Sequence, residues 1–360
     1  MNKLNLLGIL MMLLASCSTE HQLEKPLFNM KECTTPEKGE IKLSNLFKRY
    51  RLVPLETNDS SLIGGRGNKV IQRNSFFYIQ SEHSIVCFDA DGHFIHRLDK
   101  YGMGPEDYTD IADFDVVSAG EGGQEVWIAG AGGIQIYDAT NGKHRRKITF
   151  PTSIHQFKYV NDHTILIITP DEEVFHVCNA DGSIRKSFMK KDLANSVHKS
   201  CQFFEWQGKI AYQWGDTQTA IVYNPQTDGC SVQPIVIPES CILTPEISRQ
   251  YYEKYGYLEQ YDQMTKDYTL LLAIRTSPHK AAFTWTASNE QRLFTLLSEN
   301  QYQTYAFSNI TNDIFTSPHN LFLATLIGCE SDAPSRLLFI IPSQQTNNEE
   351  DNFWLLEAEF

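Results

Sequence analysis

The chain has 360 residues, of which 41% are hydrophobic and 21% charged, and its formal net charge is -13. That acidic balance excludes nucleic acid as a partner, because nucleic-acid binders need a basic face, and it opposes a polybasic contact with anionic lipid. Length alone suggests two domains or more unless the chain is a closed repeat, so repeats decide the organisation.

The first element lies outside the fold. Lys3 precedes a mostly apolar run over 6–15, which leads into Ser16 and Cys17. A positive residue, a short apolar stretch and small residues describe a secretory signal, and the run is too short for a spanning helix of about 20 residues. Leu14-Ala15-Ser16-Cys17 resembles the lipobox of bacterial lipoproteins. The resemblance implies cleavage before Cys17 and lipid on that residue. The reading is a lipoprotein signal peptide over 1–16, a polar tether over 17–40 and one body over 41–360. Seven cysteines then remain: Cys33, Cys87, Cys178, Cys201, Cys230, Cys241 and Cys329. Their odd number and wide spacing do not describe a disulfide framework, and most read as small core residues. Cys230 and Cys241 are the pair that could bridge.

Four later stretches share one plan: SIVCFDADG (84–92), GIQIYDATNG (133–142), EVFHVCNADG (173–182) and AIVYNPQTDG (220–229). Each is a β-branched or aromatic run that ends in Asp or Asn and turns on a glycine. That is a strand entering a hairpin, where the Asx side chain satisfies turn backbone and glycine accepts positive φ. The closing glycines Gly92, Gly142, Gly182 and Gly229 lie 50, 40 and 47 residues apart. This period suits propeller blades of four strands each. Strands over 75–79, 125–129, 164–168 and 209–213 precede the hairpins. Those over 112–117, 155–160 and 201–206 enter the next blade, and polar outer strands such as 93–98 follow.

Between the first two repeats lies KYGMGPEDY (100–108), which has the look of a phosphate loop. A phosphate loop needs a strand before it and a helix after it. Here Pro105 removes one N–H, Glu106 and Asp107 add negative charge, and 111–117 reads as strand. The segment is therefore a joint between blades, held by Gly102, Gly104, Pro105 and Tyr108. In the second half, Thr244-Pro245-Glu246 gives a cap, a first-turn proline and an acid, and a helix is expected over about 244–262. Ile247, Tyr251, Tyr255 and Leu258 form its apolar stripe. Strands over 280–286, 292–297 and 301–306 make a fifth blade. Strands over 321–327, 336–341 and 353–358 give three-quarters of a sixth. Residues 50–55 can supply its missing strand, and Pro54, lacking an N–H, belongs at an edge.

Three segments, RLVPLETNDSSLIG (51–64), YGMGPEDY (101–108) and NNEEDNFWLLEAEF (347–360), resemble the six-bladed, NHL-like β-propeller lipoproteins of Gram-negative gut-type anaerobes. The usual glycine after the proline is Glu106 here. The resemblance implies an all-β six-bladed propeller with one helical insertion, lipid-anchored at the outer membrane. It carries no shared reaction, so no catalytic residue follows from it.

Few residues on this frame have the placement that chemistry needs. His93 and His96 point to opposite faces of a strand and cannot chelate together, and no metal-binding motif or cofactor site is read. Asp113 and Asp115 share one side of an inner strand and could hold a cation or act as acid and base at the channel mouth. Tyr252 and Tyr257 fall off the helix stripe and could form an aromatic platform. The leading expectation is a monomeric, non-catalytic binding or scaffold module for a glycan, peptide or envelope protein. The alternative is a lyase or hydrolase that acts on an extracellular polymer through the channel-mouth carboxylates. Residues 101–108 and the helix should share one face.

Overall fold

The computed structural model describes residues 25–64, 69–120, 123–190, 202–213, 219–242, 244–277, 279–286, 292–314, 329–331, 336–341 and 352–359. The chain forms a six-bladed β-propeller. Blade 1 is Val70–Arg73, Phe76–Ser81, Ser84–Phe88 and Phe94–Leu98. Blade 2 is Asp113–Ser118, Gln124–Gly130, Gly133–Asp138 and His144–Ile148. Blade 3 is Gln156–Asn161, Thr164–Ile168, Glu173–Cys178 and Ile184–Lys190. Blade 4 is Phe203–Trp206, Lys209–Gln213, Thr219–Asn224 and Gly229–Val236. Blade 5 is Leu270–Thr276, Lys280–Thr286, Arg292–Ser298 and Gln301–Ala306.

Blade 6 is closed by both ends of the chain. Arg336–Ile341 pairs with Trp354–Glu359, which pairs antiparallel with Arg49–Pro54. Pro54 lies on the outermost strand of this sheet, where its missing N–H breaks no ladder. The strand expected over 321–327 lies outside the described residues. Cys329–Ser331, just after it, pairs parallel with Val70, Ile71 and Gln72 of blade 1. Parallel pairing is what two inner strands, both running along the axis in one direction, can form.

The core explains why so many strands read as unbroken apolar runs. Successive side chains of a strand point to opposite faces, and here both faces are covered by neighbouring blades. In Ser84–Phe88, Ile85 and Cys87 enter the seam between blades 1 and 2, while Val86 and Phe88 enter the seam between blades 6 and 1. Among the described residues, the large buried clusters correspond one to one with the six seams.

The docked body starts ahead of residue 41. Phe28–Asn29 adds as a parallel strand to the outer edge of blade 4. Phe28, Met30 and Cys33 are buried in the seam of blades 4 and 5. Ile41–Lys42 then pairs with Ile310–Thr311, and the chain reaches blade 6 through Leu43–Leu46. Residues 1–16 and Cys17 lie outside the described residues. Among the described residues, no helix is long and apolar enough to cross a membrane.

The insertion is the helix Pro245–Asp267, capped by Thr244, whose hydroxyl accepts from the Ile247 N–H at 3.2 Å. It is longer than expected and breaks at Gly256, which has φ 73 and ψ 175. The Tyr251 hydroxyl donates to Asp267, 16 positions away. A straight helix would separate them by about 24 Å, so the element folds back on itself. Glycine tolerates this backbone conformation where other residues are strained.

Candidate ligand-binding site

The joint at 100–108 is pinned from inside. Burial pushes the Tyr108 phenol up to about 12, so it stays protonated and donates to the His83 carbonyl at 2.7 Å. Tyr137 packs edge-on against Tyr108 and donates to the Glu106 carbonyl at 2.7 Å. The Asp107 carboxylate turns inward and accepts from the Gly104 N–H at 2.8 Å. A Cβ on Gly102 or Gly104 would meet that carboxylate, so both glycines leave it room. Pro105 lies in this turn, its carbonyl facing Gln135. The loop spends its backbone donors on itself, as a structural joint does.

Strand alternation places 100–108 and the 245–267 helix at the same end of the blades, because each connects an outer strand to the next inner one. The two stand on opposite sides of the ring, between blades 1 and 2 and between blades 4 and 5. Tyr101 and Met103 project from the first, and Tyr252, 52% exposed, from the second. Tyr257 lies in the helix, but its side chain is outside the described residues.

Asp113 and Asp115 sit on blade 2's inner strand and are 7% and 5% exposed. Lys69 donates to Asp113 at 2.8 Å, and Asp113 also accepts from the Phe157 N–H of blade 3 at 3.0 Å. Arg73 lies 3.5 Å from Asp115. Further round, Lys158 reaches Glu205 at 3.6 Å, and Thr276 donates to the Glu205 carbonyl. The two carboxylates belong to a band of polar ties that joins inner strands from blade 1 to blade 5. With their oxygens already engaged by Lys69, Arg73 and the Phe157 N–H, the two carboxylates serve as ties between blades. Among the described residues, no group of three or more His, Cys, Asp or Glu side chains is placed to hold a metal ion.

The site that sequence reasoning missed lies at the opposite end, where blades 4 and 5 meet. A groove of about 780 Å³ is lined there by Trp206 and Tyr302, by Asn29, Gln207, Asn224, Gln233 and Asn300, and by Lys25 and Lys209. The volume falls within the usual range for ligand sites. Its rim is two tight hairpin turns, Gln207-Gly208 and Glu299-Asn300, with positive φ at all four residues. One wall is the docked N-terminal segment. Leu27 N–H donates to the Pro234 carbonyl at 2.8 Å, and the Phe28 ring lies 5.0 Å from both Trp206 and Phe283. Asn29 N–H donates to the Tyr302 hydroxyl at 3.2 Å, which fixes that ring across the seam. Burial pushes the Tyr302 phenol up to about 12. Cys230 lines the groove and Cys241 lies in the adjacent core as separate free thiols.

The fold and this geometry can be set beside known proteins. Residues 26–351 match the model of a family described as Domain of unknown function (DUF4934). The chain belongs to that family. The matched span begins at Pro26, within the segment that walls the groove. No curated protein matches the sequence. A solved structure from Bacteroides fragilis NCTC 9343, named as an exported protein, superposes with a TM-score of 0.67 at 13% identity, covering 90% of this chain and 98% of that one. A member of the duf4221 family from Bacteroides vulgatus ATCC 8482 gives a TM-score of 0.52 at 10% identity, covering 90% and 99%. At such identity the likeness is one of fold.

Proposed function

We propose that this DUF4934 chain is a non-catalytic binding module, anchored at the outer membrane through lipid on Cys17, that takes a glycan in the groove between blades 4 and 5. The observation that carries the reading is the groove's lining. The partly buried Tyr302 and the edge of Trp206, which is otherwise packed in the seam, stand beside several side-chain amides, and that mix suits sugar rings, whose faces are apolar and whose edges carry hydroxyls. A rigid rim of tight turns lowers the ordering cost of binding. The exported Bacteroides neighbour agrees with a secretory signal over 1–16.

Asp113 and Asp115 support a lyase or hydrolase poorly, because each already serves an ionic tie between blades. The test is a glycan microarray probed with the protein, with a peptide array alongside. The expected result is a set of related glycans whose signal falls on Trp206→Ala or Asn300→Ala. Flat profiles on both arrays would sink the binding reading.

A further inference from the structure

We infer that the groove between blades 4 and 5 is built for an anionic oligosaccharide, one that carries carboxylates on its sugar rings. This rests on the reading of the groove as a glycan site.

The whole chain carries a net charge of -13. Yet Lys25 and Lys209 both line the groove, and no Asp or Glu is among its described lining residues, Glu299 standing only in the rim turn beside Asn300. A cleft with a positive lining on an acidic protein focuses anions toward itself and turns neutral surfaces elsewhere into weak competitors. Asp228, in the turn beside Gly229, is directed away from this lining. Its carboxylate faces Arg185 at 2.7 Å and Lys186 at 2.6 Å on blade 3.

Lys209 stands directly across the hairpin from Trp206. Its side chain therefore leaves the same face of the hairpin as the Trp206 indole, which is buried in the seam against Phe28. Lys25 enters from the docked N-terminal segment, two residues before the Leu27–Pro234 hydrogen bond. Ammonium groups from two separate elements can meet carboxylates on different residues of one chain. The amides of Gln207 and Asn300 line the groove for hydroxyls, as does that of Asn224, whose Oδ1 accepts from the Gln226 N–H at 3.0 Å.

A glycan suits this groove better than an acidic peptide does. An extended peptide binds a sheet most readily by adding a strand to an open edge. Blade 4's outer edge, beside this groove, is already covered by Phe28–Asn29.

The experiment is calorimetry of the protein with oligogalacturonate and with the same oligomer after complete methyl esterification, which removes charge and keeps the sugars. Binding of the charged form at least about tenfold tighter is expected, with further weakening as salt screens the contact. Lys209→Glu should remove that preference, and Lys209→Arg should retain it. Equal or tighter binding of the esterified form overturns the inference while leaving the glycan reading intact. Binding of neither form overturns it too; hits among neutral glycans on the array would then preserve the wider reading, and flat arrays would end both.

Discussion

Arg51 Nε donates to the Glu357 carboxylate at 2.7 Å, joining residues 306 positions apart. The carboxylate also accepts from Arg336 Nη1 at 2.9 Å and from the Gln72 amide of blade 1. Arg51 reaches on to the Ala90 carbonyl in blade 1's outer hairpin. One buried carboxylate therefore joins the two strands that flank its own in blade 6 and ties that blade to blade 1. Glu357→Gln keeps the shape and removes the charge. It should cost about 1.5–3 kcal/mol, the range for hydrogen bonds to charged groups. Urea denaturation checks this; an unchanged midpoint would show that apolar packing alone closes the ring.

Two glycines should respond differently to alanine. Gly92 has φ +88, and a Cβ there would be driven into the Pro54 backbone carbonyl. Gly102 would meet only the Asp107 side chain, which can swing away. Gly92→Ala should cost about 2–4 kcal/mol and Gly102→Ala less than about 1 kcal/mol. Thermal melts of the two variants test the order, and equal losses would contradict it.

His176 gives the fold a pH dependence. Burial holds its imidazole below the ordinary 6.5, with Thr169 at 3.1 Å from one ring nitrogen and Ser187 at 2.9 Å from the other. The unfolded chain therefore binds this proton more readily than the folded one. Stability is full above the unfolded value and falls as pH drops below 6.5 toward the lower folded value. His176→Gln should flatten the fall in melting temperature between neutral pH and that window. An unchanged slope would assign the dependence to other groups. The carboxylates of Asp89, Asp138, Asp181 and Asp313 are also depressed, from 3.8, so their contribution is lost only in a separate, more acidic range.

The anchor has its own test. Expressed with its signal in a Gram-negative host, the protein should partition with the outer membrane and its mature N-terminus should carry acyl chains on Cys17. Cys17→Ala should leave it in the soluble fraction. Retention of that variant in the membrane would contradict a lipid anchor.

The ring was legible because its markers are local. Hairpin turns ending at Gly92, Gly142 and Gly182 repeat a pattern that positive φ enforces, with φ of 88, 67 and 88. Pro54 pointed to an edge strand, and Tyr108 to packing under the joint. The docking of Phe28 was not legible, because a strand of two residues leaves no period to read. The break at Gly256 was hidden too, since a glycine within an apolar stripe is compatible with a continuous helix. The groove was least visible. It needs turns from two blades and an N-terminal segment to converge, and amides in turns carry no signature of which other turn they will face.

Hydrogen–deuterium exchange of the protein with and without a bound oligosaccharide from the array locates the binding site. Slowed exchange should fall in 26–30, 205–210, 228–233 and 299–302, the segments that line the groove between blades 4 and 5. Protection confined to 100–108 and the 245–267 helix, at the other end of the blades, would contradict that placement.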